Sequence, residues 1–365
     1  MSYDRDLENA MWEEGTGPID RLISRYMDYG TFPGGVLLVG TDKEVILEKA
    51  YGYRAIYPER EENATDTVYD LASLTKVVAT TPAIMRLLEW GEIRLWDPVK
   101  RFLPEFSTGL KEDVRVFHLL THTSGLPPYS NAWRYTQNSI ELKEELLKTE
   151  LAYKTGTNIV YSCLNFIFLG YIVERITQKS LDRFVREQIF TPLKMVDTGY
   201  LPEDASKVAP TCERDGKILR GEPDDELAYY HGGVSGNAGL FSTARDLYKY
   251  ARSLINPEYY IFSPYTVEAF TKEYVSYGEE KKGLGWMIKS INSSCGDLFS
   301  ERSFGHTGYT GTSLWIDPVK RLIVIFLCNR THLSRKVGIK DESSERIIEF
   351  RPRLHNVIVA SMYRH

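Results

Sequence analysis

The sequence predicts an α+β fold: an antiparallel sheet built from both chain ends, flanked by helices, with a mostly helical stretch between them. Three observations predict it. Strand-like apolar runs lie at the two ends, GGVLLVG (34–40) and EVILEKAYG (44–52) on one side, SLWID (313–317) and LIVIFLC (322–328) on the other. The middle instead carries apolar residues at helical spacing between loops rich in Gly, Pro and Asp. The chain has 365 residues, more than one compact core usually organises, so an insertion or a second domain is expected. The expected division is an α/β domain from residues 1–70 and 283–365, and a mostly helical domain over 71–282.

Each element follows from local pattern. Leu7 to Tyr29 reads as an amphipathic helix. GTDKE (40–44) between two strand-like runs is a hairpin signal. Thr75–Trp90 reads as a helix stopped at Gly91, and Asn165–Thr177 and Leu181–Ile189 as two more, the second ended by TPL (191–193). Thr243–Ile255 opens with Thr243 three residues before Asp246, close to a capping box. KEELLKTE (143–150) reads as a solvated helix face. FGHTGYTGTSLWIDPVKRLIVIFLCNR (304–330) reads as strand, loop, strand, DP turn and strand, and a helix is expected from Glu342 to Tyr363.

Composition narrows the function. Lys and Arg total 45 against 50 Asp and Glu, a net charge of -5, which gives no footing for nucleic acid or an anionic membrane as partner. The strongest apolar run is far too short to span a bilayer. MSYDRDLENAMWEEG at the N-terminus is charged and has no apolar core, so no signal peptide is expected. The cysteines, Cys163, Cys212, Cys295 and Cys328, form no CxxC pair and are expected to be reduced thiols in a cytoplasmic protein.

LASLTKVVAT (71–80) places Ser73 three residues before Lys76. On a helix these two share a face. A serine at a helix start lies at the positive end of the helix dipole, which favours an oxyanion there. Serine needs a base, and a lysine in a partly dry site near other cations has a lowered pKa and can serve. By itself the pair reads as a helix cap beside a lysine. Tyr161 lies at a loop edge before a helix; beside two cations its phenol pKa would fall enough for it to act as a base, though alone it reads as a packing tyrosine. His306, Thr307 and Gly308 lie at a strand edge among further glycines, where a substrate backbone can approach and an N–H can point at an oxyanion.

The three motifs in this order, S-x-x-K, Y-x-x and H-T-G, resemble those of the serine β-lactamase and penicillin-binding-protein superfamily, and most of all its class C-type branch, which also holds carboxylesterases, D-aminopeptidases and DD-carboxypeptidases. FHLLTHTSGLP (117–127), the segment 166–195, HGGVSGNAGLFSTARDL (231–247) and GLGWMI (283–288) extend the resemblance over nearly the whole chain. It implies a β-lactamase/transpeptidase-like fold and an acyl-enzyme mechanism. Ser73 would be the acylated nucleophile, Lys76 would take or relay its proton, and Tyr161 would be general base and acid. The backbone N–H groups of Ser73 and Tyr309 would form the oxyanion hole, with Cys163, His306, Thr307 and Gly308 bordering the substrate.

Two departures bear on substrate. The Tyr-x-Asn of the branch's lactamases is Tyr161-Ser162-Cys163 here, and a thiol is a poor partner for a substrate amide. The Lys-Thr-Gly is His306-Thr307-Gly308, and a mostly neutral histidine weakens carboxylate anchoring. Both favour a small carboxylic ester over a lactam or D-peptide, although a β-lactamase, a DD-carboxypeptidase or D-aminopeptidase, and a non-turnover penicillin-binding module stay as alternatives. No cofactor is expected. GGVSGNAG (232–239) lacks the second glycine of a nucleophile elbow. His118 and His122 have zinc-helix spacing without its acidic residue, so no metal is expected and His122 and Ser124 are expected to pin a loop.

Overall fold

The computed structural model describes residues 17–332 and 342–362. The expected helix from Leu7 is described only as α1 (Gly17–Asp28), its earlier part lying outside the described residues. A nine-stranded antiparallel sheet forms the centre. Its N-terminal strands are β1 (Gly34–Thr41), β2 (Val45–Ala55) and β3 (Glu61–Glu62). Two-residue pieces β4 (Tyr69–Asp70) and β5 (Gly199–Tyr200) pair with β8 (Leu240–Ser242) in a small second sheet, and β6 (Glu213–Arg214) pairs with β7 (Lys217–Ile218). The large sheet is completed by β9 (Val275–Tyr277), β10 (Glu280–Lys282), β11 (Met287–Ile288), β12 (Phe304–Thr307), β13 (Ser313–Asp317) and β14 (Leu322–Cys328). The order is β3-β2-β1-β14-β13-β12-β11-β10-β9. The sheet therefore takes in two strands before residue 283, which the sequence pattern assigned to the helical stretch.

The chain ends meet at β1 and β14, with Leu38 opposite Ile325. Both strands are buried on both faces, which is why their sequences are continuous apolar runs rather than alternating ones. Successive residues feed different cores. Leu37, Val39, Val324 and Phe326 pack under α1 and the C-terminal helix, which spans Glu342–Met362, while Val36, Leu38, Ile323 and Ile325 pack on the helices of the middle of the chain.

That middle opens on α2 (Thr81–Glu89), followed by α3 (Val116–Leu120), α4 (Ser139–Leu147), α5 (Cys163–Thr177), α6 (Leu181–Val185), α7 (Glu226–Tyr230), α8 (Ala244–Ser253) and α9 (Pro264–Thr271), so the C-terminal helix is α10. The helix expected from Thr75 is not one regular helix. Lys76–Thr80 is a π turn, and only from Thr81 is the helix α. The segment expected as Leu181–Ile189 likewise ends in a π turn, Arg186–Phe190. The N-cap of α8 is the expected one, since Thr243 Oγ1 accepts from the Asp246 N–H at 3.3 Å. The run 143–150 covers one face of α4 with charge, but Leu146 and Leu147 are buried. All four cysteines are free thiols. Among the described residues no helix is long and apolar enough to cross a membrane.

Candidate active site

Ser73 sits on a tight 3₁₀ turn, Ala72–Leu74, that leads into the π turn of Lys76. Ala72 before it has φ 46°, a conformation that costs a non-glycine residue about 1 kcal/mol. Asp70 holds the strained residue, its Oδ1 accepting from the Ala72 N–H at 2.8 Å. The turn aims Ser73 at a cavity of about 590 Å³.

Lys76 is fully buried beneath Ser73. Its Nζ donates to Ser73 Oγ at 2.9 Å and to the Asn237 carbonyl oxygen at 2.9 Å, and lies 3.8 Å from Cys163 Sγ and 5.0 Å from the centre of the Tyr161 ring. Asn237 is held in place by its own side chain, which accepts from Ser235 Oγ at 2.7 Å and donates to Asp225 Oδ1 at 3.1 Å. Its loop lies hard against α5. A Cβ on Gly236 would come 2.0 Å from the Phe166 carbonyl oxygen, and the Gly236 carbonyl accepts from Thr80 Oγ1 at 2.7 Å. Gly236 thus serves close backbone approach, and the residue after it delivers the Asn237 carbonyl to Lys76.

Tyr161 and Cys163 are set by His122. Its Nδ1 accepts from the Ser162 N–H and from Asn165 Nδ2, each at 3.1 Å, which assigns the imidazole hydrogen to Nε2. Its carbonyl accepts from the Val160 N–H at 3.0 Å, and Ser124 Oγ donates to Asn165 Oδ1 at 2.6 Å. His122 and Ser124 pin the 160–165 loop, as the sequence predicted, and Asn165 is spent on that lock away from the cavity. Burial holds the His122 imidazole well below its ordinary pKa, with Lys282 and Lys76 adding repulsion.

Ser73, Tyr161 and Cys163 form one wall of the cavity; His306, Thr307, Gly308 and Tyr309 form the facing wall. Every site residue inferred from the sequence is therefore in one place, with Lys76 buried behind Ser73 rather than lining the cavity. The two walls are clamped together. Thr310 Oγ1 donates to the Asp70 carbonyl at 2.8 Å and Thr312 Oγ1 to that of Leu71 at 3.1 Å. Arg351, from α10, donates to the carbonyls of Gly308 and Thr312 at 2.8 and 3.1 Å. Gly308 must be glycine, since a Cβ there would meet Thr312 Oγ1 at 2.1 Å. Among the described residues the Tyr309 N–H has no backbone acceptor.

The electrostatics differ from the sequence-based expectation at two groups. Burial pulls the Lys76 ammonium down, but any negative charge on Cys163 or Tyr161, and the carboxylate of Asp225, would bind its proton, and the net direction is above the ordinary value. Burial of the Tyr161 phenol raises its pKa, and Lys76 offsets only part of that. Burial and Lys76 push His306 down to about 3, so it is neutral, as expected, and adds no charge beside Tyr161. The resting pair is an ammonium and a phenol. Burial likewise raises the Cys163 thiol, which stays protonated.

The sequence reading missed Asn237, Asp225 and Lys282. Asn237 lies inside a stretch that reads as part of the resemblance and as a failed nucleophile elbow, without a role for Asn237 itself. Asp225, whose side chain N-caps α7, and Lys282, next to GLGWMI, carry no local signal; only the fold brings them to Ser73.

A family model described as Beta-lactamase matches residues 19–343. An N-acetylmuramyl-L-alanine amidase of Bacillus subtilis (strain 168) is 35% identical over 358 residues, covering 86% of this chain and 80% of that protein. A protein of Escherichia coli (strain K12) named "Putative D-alanyl-D-alanine carboxypeptidase" is 32% identical over 363 residues, covering 87% and 83%. The octameric penicillin-binding protein homologue from Pyrococcus abyssi superposes with a TM-score of 0.71 at 25% identity, covering 87% of this chain and 74% of that one.

Proposed function

The chain belongs to the beta-lactamase family of serine hydrolases, and from that premise we propose that it hydrolyses a carboxylic acid derivative through an acyl-enzyme on Ser73. The observation that carries this is the 2.9 Å hydrogen bond between Lys76 Nζ and Ser73 Oγ at the wall of the cavity, with the Tyr161 phenol beside both. In the proposed mechanism the Lys76–Tyr161 pair first gives up one proton and then titrates as a unit. Ser73 Oγ attacks the substrate carbonyl carbon and its proton passes to the pair. The oxyanion is held by the N–H groups of Ser73 and Tyr309. The pair returns the proton to the leaving group, and the C–O or C–N bond to it breaks. Water then attacks the acyl carbon, its proton taken by the same pair; the acyl C–O bond to Ser73 Oγ breaks, the pair returns that proton to Oγ, and the carboxylic acid leaves.

For the substrate we put a small carboxylic ester first. The support is Cys163, whose protonated thiol stands where an amide-reading side chain would be needed, together with the neutral His306. A second reading, a peptide-like amide, is favoured by the names of the two relatives reported above, an amidase and a carboxypeptidase. The deciding experiment is steady-state turnover of a short-chain p-nitrophenyl ester, a chromogenic cephalosporin and an acyl-D-Ala-D-Ala peptide, with Ser73→Ala as control. Ester turnover well above the other two, abolished in Ser73→Ala, supports the first reading. Peptide turnover above ester supports the second. An active Ser73→Ala protein would sink the acyl-enzyme. Release of one product equivalent per chain, with no turnover, would make this a binding module.

A further inference from the structure

One side chain ties the turn of Ser73 to the rest of the site. Asp70 ends β4 and is buried. Each of its carboxyl oxygens accepts from a different backbone: Oδ1 from the Ala72 N–H at 2.8 Å, Oδ2 from the Asp224 N–H at 2.7 Å. Its carbonyl accepts from Thr310 Oγ1 at 2.8 Å. An Asx turn by itself accounts for the Oδ1 bond. It does not account for Oδ2, which is spent on a backbone 154 residues away.

The tie acts at Ala72. Its left-handed φ of 46° is a conformation that an L-residue other than glycine leaves unless its surroundings hold it. Lys76, the partner of Ser73, is held from the same short segment. Asp225, next to Asp224, accepts from Asn237 Nδ2 at 3.1 Å, and the Asn237 carbonyl accepts from Lys76 Nζ at 2.9 Å. Both ends of the 2.9 Å Ser73–Lys76 hydrogen bond are thus referenced to residues 224–225. Ser73 is reached through Ala72 and Asp70, and Lys76 through Asn237. The ring of contacts closes only through the two oxygens of Asp70.

We infer that Asp70 is a positioning residue for Ser73: by holding Ala72 left-handed, it keeps Ser73 Oγ within hydrogen-bond reach of Lys76 Nζ. This deepens the acyl-enzyme reading and rests on it. Asp70 is buried, whereas Ala72 and Ser73 line the cavity, so its effect on a substrate passes through them.

The test compares wild type, Asp70→Asn, Ala72→Gly and the double variant, with the folded fraction of each measured by circular dichroism. Asn keeps the shape of Asp but offers one acceptor and one donor where two acceptors are used. The readouts are kcat and KM for p-nitrophenyl acetate, and the rate at which an alkyl fluorophosphonate labels Ser73, its Oγ–P bond forming as fluoride leaves. A nucleophile displaced by about 1 Å predicts kcat and labelling about tenfold to a hundredfold lower in Asp70→Asn, with KM within about threefold of wild type. A role in stability alone would lower the folded fraction and leave both rates per folded chain unchanged. Glycine takes the left-handed conformation without steric cost, so the Asp70→Asn loss is expected to be about fivefold smaller in the Ala72→Gly background. Rates per folded chain that change less than about twofold in Asp70→Asn, or a loss equal in both backgrounds, overturn the inference.

If the wild type neither hydrolyses the ester nor is labelled at Ser73, the acyl-enzyme reading has failed by itself. Crystal structures of wild type and Asp70→Asn then decide the inference. Ala72 out of the left-handed region, with Ser73 Oγ beyond about 3.5 Å from Lys76 Nζ, supports it, and unchanged geometry overturns it. Should Asp70→Asn fail to fold, amide hydrogen exchange of the wild type decides it. Slow exchange at the Ala72 and Asp224 N–H groups supports the tie, and exchange at Ala72 as fast as in an unstructured peptide overturns it.

Discussion

Lys76 and Tyr161 set the pH behaviour, because both are held protonated. The ammonium and the phenol each have a pKa above the ordinary value, and the base form must lose a proton. A required group whose pKa is raised is deprotonated only at high pH, so kcat/KM falls as pH is lowered. The expected profile drops about tenfold per pH unit from pH 9 toward pH 6, with no inflection near 6.5 from His306, which is already neutral there. A profile flat between pH 5 and 9 would remove the Lys76–Tyr161 pair from the mechanism. Tyr161→Phe keeps the ring against His122 but removes the phenol, and turnover is expected to fall about 10²- to 10⁴-fold at unchanged melting temperature. The motif residues were legible because spacing and order carry them. Their charge states were not, since burial depends on segments far away in sequence.

The element that places the site most tightly is the 231–239 loop on α5. Gly236→Ala puts a Cβ against the backbone of Phe166, which cannot give way like a side-chain end. The expected cost is about 1–3 kcal/mol in denaturant unfolding. The next residue supplies the carbonyl that accepts from Lys76, so turnover under folding conditions should fall as well. An unshifted unfolding midpoint would show that the contact is looser than the geometry states. At this scale the strands of the centre and the helix spans were readable from apolar periodicity. The π turns at Lys76–Thr80 and Arg186–Phe190 were not, because their apolar pattern is also that of an α-helix.

Across the whole molecule, two cores separated by one sheet do different work. The core under α1 and α10 joins the chain ends and lies behind the sheet. Phe350 packs there against Phe32 at 5.1 Å and Phe326 at 5.1 Å between ring centres. Phe350→Ala is expected to cost about 3–5 kcal/mol in urea unfolding. α10 also sends Arg351 through to the Gly308 carbonyl, so loss of this core is expected to loosen the wall that carries the Tyr309 N–H.

By itself the sequence determined that strands at the two ends make one sheet, that helices fill the middle, and that Ser73, Lys76, Tyr161 and His306-Thr307-Gly308 form a set. Those facts are written in local spacing, in periods of two and 3.6, and in short motifs whose residues act together. Tertiary structure alone decided that Asn237 and Asp225 steady the lysine. It alone decided how far burial lowers the proton affinity of His306 and that Lys282 lines the cavity. The reason is physical: burial, proton affinity and satisfaction of a charge are properties of what surrounds a group, and here the surroundings come from strands and loops up to some 240 residues apart, as the Thr312–Leu71 contact shows.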